Sequence, residues 1–308
     1  MGYRKNLRII LGNLKDKGSL IRTVLSTNPH KSSVRSAILR ATSHGSSSLP
    51  SEHQMGAIIS LGLESHAGAC SCIQALMDRL NSTSDAFVAL KCLYIIHNII
   101  GKGLFVPNDQ LSMYQCFGGR KFLNSWDQET RQMSDWVRWY AAILEQNLVV
   151  PKVLGYHLYN NKKDKILSSL NSDLLKEIDV LVEFACQVGN PPDSLHLQRN
   201  CLVYEVVRLV GEEYRLVQRE IGSRVAELGA RMTSLSRSEC SEFLNSLNRF
   251  EDCKERISSL FVNRYRNADL WDLVKETRAK LVAMIKDKEN VGTLTLVVKL
   301  QRGTSRVR

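Results

Sequence analysis

Residues 85–100 read DAFVALKCLYIIHNII. Apolar side chains fall on nearly every face of the helix this stretch forms, so it is expected at the centre of a bundle rather than on its surface. No run of 18 apolar residues occurs in the chain, so this helix is read as a core element and not as a membrane span. A second stretch, DWVRWYAAILEQNL at 135–148, reads as an aromatic-rich helix of the same kind.

Helical periodicity continues outward from these two segments. Residues 5–25 place Leu7, Ile10, Leu11, Leu14, Ile21, Val24 and Leu25 in an amphipathic pattern, with Gly18 as an interruption. Residues 32–43 place Val34, Ala37, Ile38 and Ala41 at helical spacing. Ser51 to Gln54 matches the S-x-x-Q capping box ahead of the apolar run MGAIISLGL, so a helix should begin at Ser51. Further helices are expected over 67–80, 173–188, 195–234, 239–262 and 269–288, with Asn190-Pro191-Pro192 as a turn. Residues 107–130 and 159–171 read as irregular. TLTLVVKL at 293–300 alternates like a strand but has no partner strand, so it is expected to be a loose tail. The sum is an all-α protein of about ten helices joined by short loops, the arrangement of helical solenoids, with a helical domain over 1–290 and a short basic tail over 291–308. No sequence repeat of fixed period is present.

The 308 residues can build one elongated domain or two ordinary ones. The eight cysteines include no C-x-x-C pair, and several lie inside apolar helical runs, so reduced thiols are expected rather than a disulfide framework. The N-terminus lacks an uninterrupted apolar segment with a cleavage site, so no secretory leader is expected. Gly2 does not complete a myristoylation motif, because Asn6 stands where Ser or Thr is required.

The net charge of +11 is concentrated at the ends. Residues 1–51 carry +8, with Asp16 their single acid, and the last ten residues carry +4, leaving −1 for the rest. Such a concentration implies an anionic partner: lipid headgroups, nucleic acid or an acidic protein. An Arg-rich, Ser-rich, acid-poor N-terminus is also how an organellar presequence looks, which gives a competing reading. Against it, the apolar pattern runs on through 34–39.

Catalytic constellations are absent. There is no P-loop, no G-x-S-x-G and no H-E-x-x-H, so no enzyme is expected. His97 lies in the most apolar helix and reads as a core histidine bonded to a backbone carbonyl. Cys70 and Cys72 point about 200° apart on a helix, which is wrong for a shared metal, and no cofactor is expected.

The stretch ILRATSHGSSSLPSEHQM, residues 38–55, is more informative. Arg40 and His44 are one helical turn apart. After a Gly/Ser loop, His53 occupies the second position of the next helix, where free N–H groups and the positive dipole end attract anions. A metal site, a phosphate site and a plain polar corner all fit. A zinc site needs two more ligands, and neither Glu52 nor His66 gives a known spacing.

RATSH with a further histidine nine residues on resembles the lipid-binding signature of ANTH domains, the N-terminal domains of clathrin assembly proteins, in which a Lys-Ala-Thr-x-His stretch precedes a Lys-x-Lys/Arg-His cluster. LKDKGSLIRTVLS near the start, ALKCLYIIHNII and DWVRWYAAILEQNL resemble plant members in the same order, and the likeness runs from about residue 5 to 290. It implies an ANTH-type right-handed helical solenoid that binds phosphatidylinositol bisphosphate and serves clathrin-mediated endocytosis. The implied location is cytoplasmic and peripheral, on clathrin-coated pits and vesicles, with the Golgi apparatus as a further site. Clathrin and vesicle SNARE helices are the implied partners, and nucleic acid is not. The resemblance assigns lipid phosphate to Arg40, His44 and His53, with Lys15, Lys17, Lys31 and Arg35 as an auxiliary basic surface. Two positions depart from the pattern, because Pro50 and Glu52 stand where the family has basic residues. Long tails with clathrin-binding motifs are usual in the family, whereas here Asp173-Leu174-Leu175 and LWDLV at 270–274 read as helix. The expectation is a general anionic-membrane binder with reduced headgroup selectivity. The alternatives are a scaffold of the same fold without lipid binding, and an organellar protein.

Overall fold

The computed structural model describes residues 2–24, 29–44, 48–63, 65–101, 117, 128–160, 163–261 and 267–304. Every regular element among them is helical. The all-α expectation therefore stands, and most of the irregular stretch expected at 107–130 lies outside the described residues.

The chain divides into two compact units. The first comprises residues 1–148 and 191–210. It holds α1 (Gly2–Val24), α2 (Pro29–Ala41), α3 (Glu52–Leu63), α4 (His66–Ser82), α5 (Ala86–Gly101) and most of α6 (Gln128–Leu154). Its centre is α5. Asp85 starts α5 by accepting the N–H groups of Phe87 at 2.9 Å and Val88 at 3.1 Å, which satisfies two orphan donors. Val88, Leu90, Leu93, Ile95 and Ile96 then have no exposed surface. Each such side chain contributes about 1.5–3 kcal/mol by leaving water. Trp136, Val137, Tyr140 and Leu144 of α6 are buried with them, and Trp136 donates its indole N–H to Ser194 Oγ at 3.2 Å. His97 is indeed a core histidine, but the described partner of its Nδ1 is the Tyr140 hydroxyl at 2.7 Å, not a carbonyl. The capping box that starts α3 is present: Ser51 N–H donates to Gln54 Oε1 at 2.9 Å, and Gln54 N–H to Ser51 Oγ at 3.2 Å.

The second unit comprises residues 149–190 and 211–308. Its elements are α7 (Lys163–Ser168), α8 (Asn171–Val188), most of α9 (Cys201–Ala230), α10 (Arg237–Asp252), α11 (Lys254–Leu260) and α12 (Ala268–Thr304). α10 packs on both α8 and α12, and Phe250 of α10 stacks on Trp271 of α12 with centroids 4.5 Å apart. Leu174 and Leu175 are buried in α8, as their helical reading required.

Two expectations fail here, beside the stretch 159–171, read as irregular, in which α7 forms. The strand-like alternation at 293–300 is helix, because α12 runs on to Thr304. With no neighbouring strand, the backbone donors and acceptors of that segment are satisfied by extending a helix already nucleated, one bond per residue. The second concerns α2, which ends at Ala41, with Thr42 bonding back to the Ile38 carbonyl through its N–H at 2.9 Å and its Oγ1 at 2.7 Å. His44 therefore lies beyond the helix, and Arg40 and His44 do not share a helix face.

Candidate functional site

Four of the apolar residues that give α1 its periodicity are turned outward. Ile10, Leu11, Leu14 and Ile21 are exposed, whereas Gly12, Asp16 and Thr23 are buried. At 100° per residue the exposed apolar side chains span an arc of about 100°, flanked by Lys17 on one edge and by Lys15 and Arg22 on the other. The face of α1 that meets the protein carries Gly12, Asp16 and Thr23, with Ile9 and Leu20 half-buried beside them.

Asp16 holds that face in place. One carboxylate oxygen accepts the His44 backbone N–H and the His44 ring, each at 2.8 Å. A carboxylate only accepts, so His44 Nδ1 carries the proton of this bond. The other oxygen accepts Arg79 Nη2 at 2.7 Å. Arg79 also donates to the Thr42 carbonyl at 3.0 Å, and the buried Lys91 of α5 donates to the Ser43 carbonyl at 3.0 Å. The turn 42–44 is thus fixed from three helices. Gly12 completes the fit, because a Cβ there would lie 2.6 Å from His44 Cγ. Burial pushes the Asp16 carboxyl up, but the His44 hydrogen bonds and the Arg79 guanidinium outweigh it and hold the group below its ordinary value. Burial pulls the Lys91 ammonium down, against the opposing pull of Asp85 and Asp16.

A pH dependence follows. A carboxyl lowered on folding adds stability that is complete above its ordinary value of 3.8 and disappears as pH falls through the lower folded value. Thermal midpoints measured between about pH 5 and pH 3 should therefore fall less steeply for Asp16→Asn than for the parent chain. Equal slopes would mean that the cluster does not hold Asp16 ionised.

The structure separates the residues that the sequence grouped. His44 has 10% of its side chain exposed and is engaged by Asp16. Arg40 and His53 are exposed at the junction of α2 and α3, where Gln54 Nε2 reaches the Arg40 carbonyl at 3.2 Å. Lys15, Lys17, Lys31 and Arg35 are exposed. Lys15 reaches the Ser82 carbonyl at 3.5 Å, and Arg35 forms a solvated pair with Asp78 at 3.7 Å. Glu52 is exposed beside His53 and Pro50 is buried. Gly12, Asp16, Arg79 and Lys91 escaped the sequence reading. Their signals were the single acid of the first 51 residues and a lysine inside the otherwise apolar α5. Among the described residues no group of three His, Cys, Asp or Glu side chains is placed to hold a metal. No described helix is long and apolar enough to cross a membrane.

An all-helical fold whose first helix turns an apolar face outward above a basic helix–helix corner defines a class of helical domain with a cationic face. Residues 33–264 match the ANTH domain, and the chain belongs to that family. Three similar proteins, all from Arabidopsis thaliana, are each named "putative clathrin assembly protein". One is 35% identical over 301 residues, covering 90% of this chain and 82% of its own length. The second is 28% identical, covering 88% and 98%, and the third is 29% identical, covering 88% and 85%.

Proposed function

We propose that this chain is a clathrin-related adaptor that rests peripherally on anionic membranes, with the outward face of α1 in the headgroup layer and the basic corner against lipid phosphate. The observation that carries the reading is the reversed burial of α1: Leu14 is 58% exposed and Ile21 62%, while Asp16 faces the protein. An apolar face rimmed by lysine and arginine is the pattern of an interfacial helix. Arg40 and His53 bind headgroup phosphate directly. Lys15, Lys17, Lys31 and Arg35 add an attraction of about 1 kcal/mol each near an anionic leaflet, which salt weakens. His44 positions α1 and the turn rather than touching lipid. With Glu52 and Pro50 at two otherwise basic positions, the chain favours anionic membranes generally over a particular phosphoinositide. Work in clathrin-coated pits and vesicles, engagement of clathrin or SNARE helices, and a cytoplasmic or Golgi location rest on the family and on the names of its relatives. The buried Asp16 cluster makes α1 part of the fold, which weighs against a cleaved presequence.

Co-sedimentation tests the reading, using vesicles with phosphatidylserine alone and with added phosphatidylinositol bisphosphate, at two salt concentrations. Arg40→Glu should weaken binding about 30-fold, because it exchanges an attraction of about 1 kcal/mol for a similar repulsion. Glu52→Lys should strengthen it and restore preference for the bisphosphate. Indifference to both, with binding abolished by salt, would leave a diffuse basic surface. No binding at all would leave a scaffold of the same fold.

A further inference from the structure

The adaptor reading leaves unused a pair of thiols in the second unit. Cys186, in the last turn of α8, and Cys253, between α10 and α11, line one open hollow of about 390 Å³, together with Gly189, Arg249, Asp252 and Arg256. Cys186 is partly exposed and Cys253 is buried. The α8 end is pressed against Cys253, since a Cβ on Gly189 would lie 2.7 Å from the Cys253 Cβ. Cys186 sits one turn earlier on the same helix; its thiol reaches the Arg249 carbonyl at 3.7 Å and the Cys253 thiol the Phe250 carbonyl at 3.0 Å, so both are held at the α10 end that borders the hollow. Arg249 stands over the pair, anchored to α8 through Asp179 at 2.6 Å and through Glu183.

We propose that Cys186 and Cys253 form a dithiol site that a small hydroperoxide, entering through the hollow, oxidises to a disulfide joining the end of α8 to the α10–α11 junction. The arrangement divides the roles. The neighbouring Cys253 thiol lowers the Cys186 thiol; burial opposes that, Arg249 assists it, and Glu183 and Asp252 oppose it. The Cys186 neighbour and burial raise Cys253, whose S–H donates to the Phe250 carbonyl at 3.0 Å. Cys186 is therefore the attacking thiolate and Cys253 the resolving thiol. In the first step the Cys186 sulfur attacks the terminal peroxide oxygen. The O–O bond breaks, the leaving alkoxide takes up a proton as an alcohol, and Cys186 becomes a sulfenic acid. In the second step the Cys253 sulfur attacks Cys186. The S–S bond forms, the S–O bond breaks, and hydroxide leaves with the Cys253 proton as water. Two electrons pass from the two thiols to the peroxide. In a reducing compartment the bond is transient, reversed by thiol exchange.

The test treats the reduced full-length chain with a small excess of hydrogen peroxide, alkylates the remaining thiols after denaturation and maps the peptides. The expected result is a 186–253 cross-linked peptide that disappears with dithiothreitol, while the buried Cys72, Cys92 and Cys240 remain alkylatable. Cys186 should be oxidised about tenfold faster than the exposed Cys201 at neutral pH. Cys253→Ser should trap Cys186 as a dimedone-reactive sulfenic acid, and Cys186→Ser should leave Cys253 reduced, with circular dichroism confirming that both variants fold. Oxidation of Cys186 no faster than Cys201, its advance to sulfinic acid without a cross-link, or its pairing with another cysteine would overturn the proposal.

Discussion

Leu14→Glu is expected to weaken association with phosphatidylserine vesicles about 100-fold and to leave the helical circular dichroism spectrum and melting temperature of the chain unchanged. Leu14 is 58% exposed, so a charge there costs the folded chain little. On the membrane the change removes a leucine worth about 1.5–3 kcal/mol when buried and sets a carboxylate against anionic lipid at about 1 kcal/mol. Leu14→Lys separates the two contributions. It loses the same apolar area but gains an attraction, so its binding should fall far less and become more sensitive to salt. Parent-like binding of Leu14→Glu would remove α1 from the membrane interface and return the site to the Arg40–His53 corner alone.

The parts of the fold written in local pattern were legible from the sequence. α5 was readable as a central helix because its apolar residues surround the axis, and the α3 start because Ser51 and Gln54 are three residues apart. The organisation around His44 was not. Its partner Asp16, and Arg79 that shares the Asp16 carboxylate, lie 28 and 35 positions away in the chain, and no local window joins them. Spacing put Arg40 and His44 on one helix face, but Thr42 ends the helix between them. Periodicity also identified α1 as amphipathic without saying which face meets the protein. In the folded chain the face that turns inward is the one on which Asp16 pairs with His44 and Arg79, and Ile10, Leu14 and Ile21 lie outside. The tail shows the same ambiguity on a smaller scale, since a short apolar run reads as strand or helix until its neighbours are known.

The largest stability effect should come from a residue with no part in the proposed site. Arg224 of α9 has no exposed surface. Its guanidinium bonds Glu177 of α8 at 2.7 Å and Glu220 of its own helix at 2.8 Å, and donates to the Tyr156 hydroxyl at 3.1 Å. Tyr156 in turn donates to Glu220 at 2.7 Å. Lys165 approaches Glu177 at 3.5 Å from the partly exposed edge of the network. Arg224→Met preserves bulk but leaves two buried carboxylates around an uncharged chain, and breaking a buried pair in this way costs about 3–5 kcal/mol. The thermal midpoint of the second unit should fall by about 10 °C. Arg224→Lys keeps the charge but cannot fork between two carboxylates and a phenol, so it should fall between the two. Adding Glu177→Gln and Glu220→Gln to Arg224→Met should recover most of the loss, because the cost lies in the stranded charges rather than in a missing attraction. If Arg224→Met melted within a degree or two of the parent, burial without compensation would not be what this network avoids. If the triple variant melted no higher than Arg224→Met, the arginine would be acting through the shape of its packing and not through its charge.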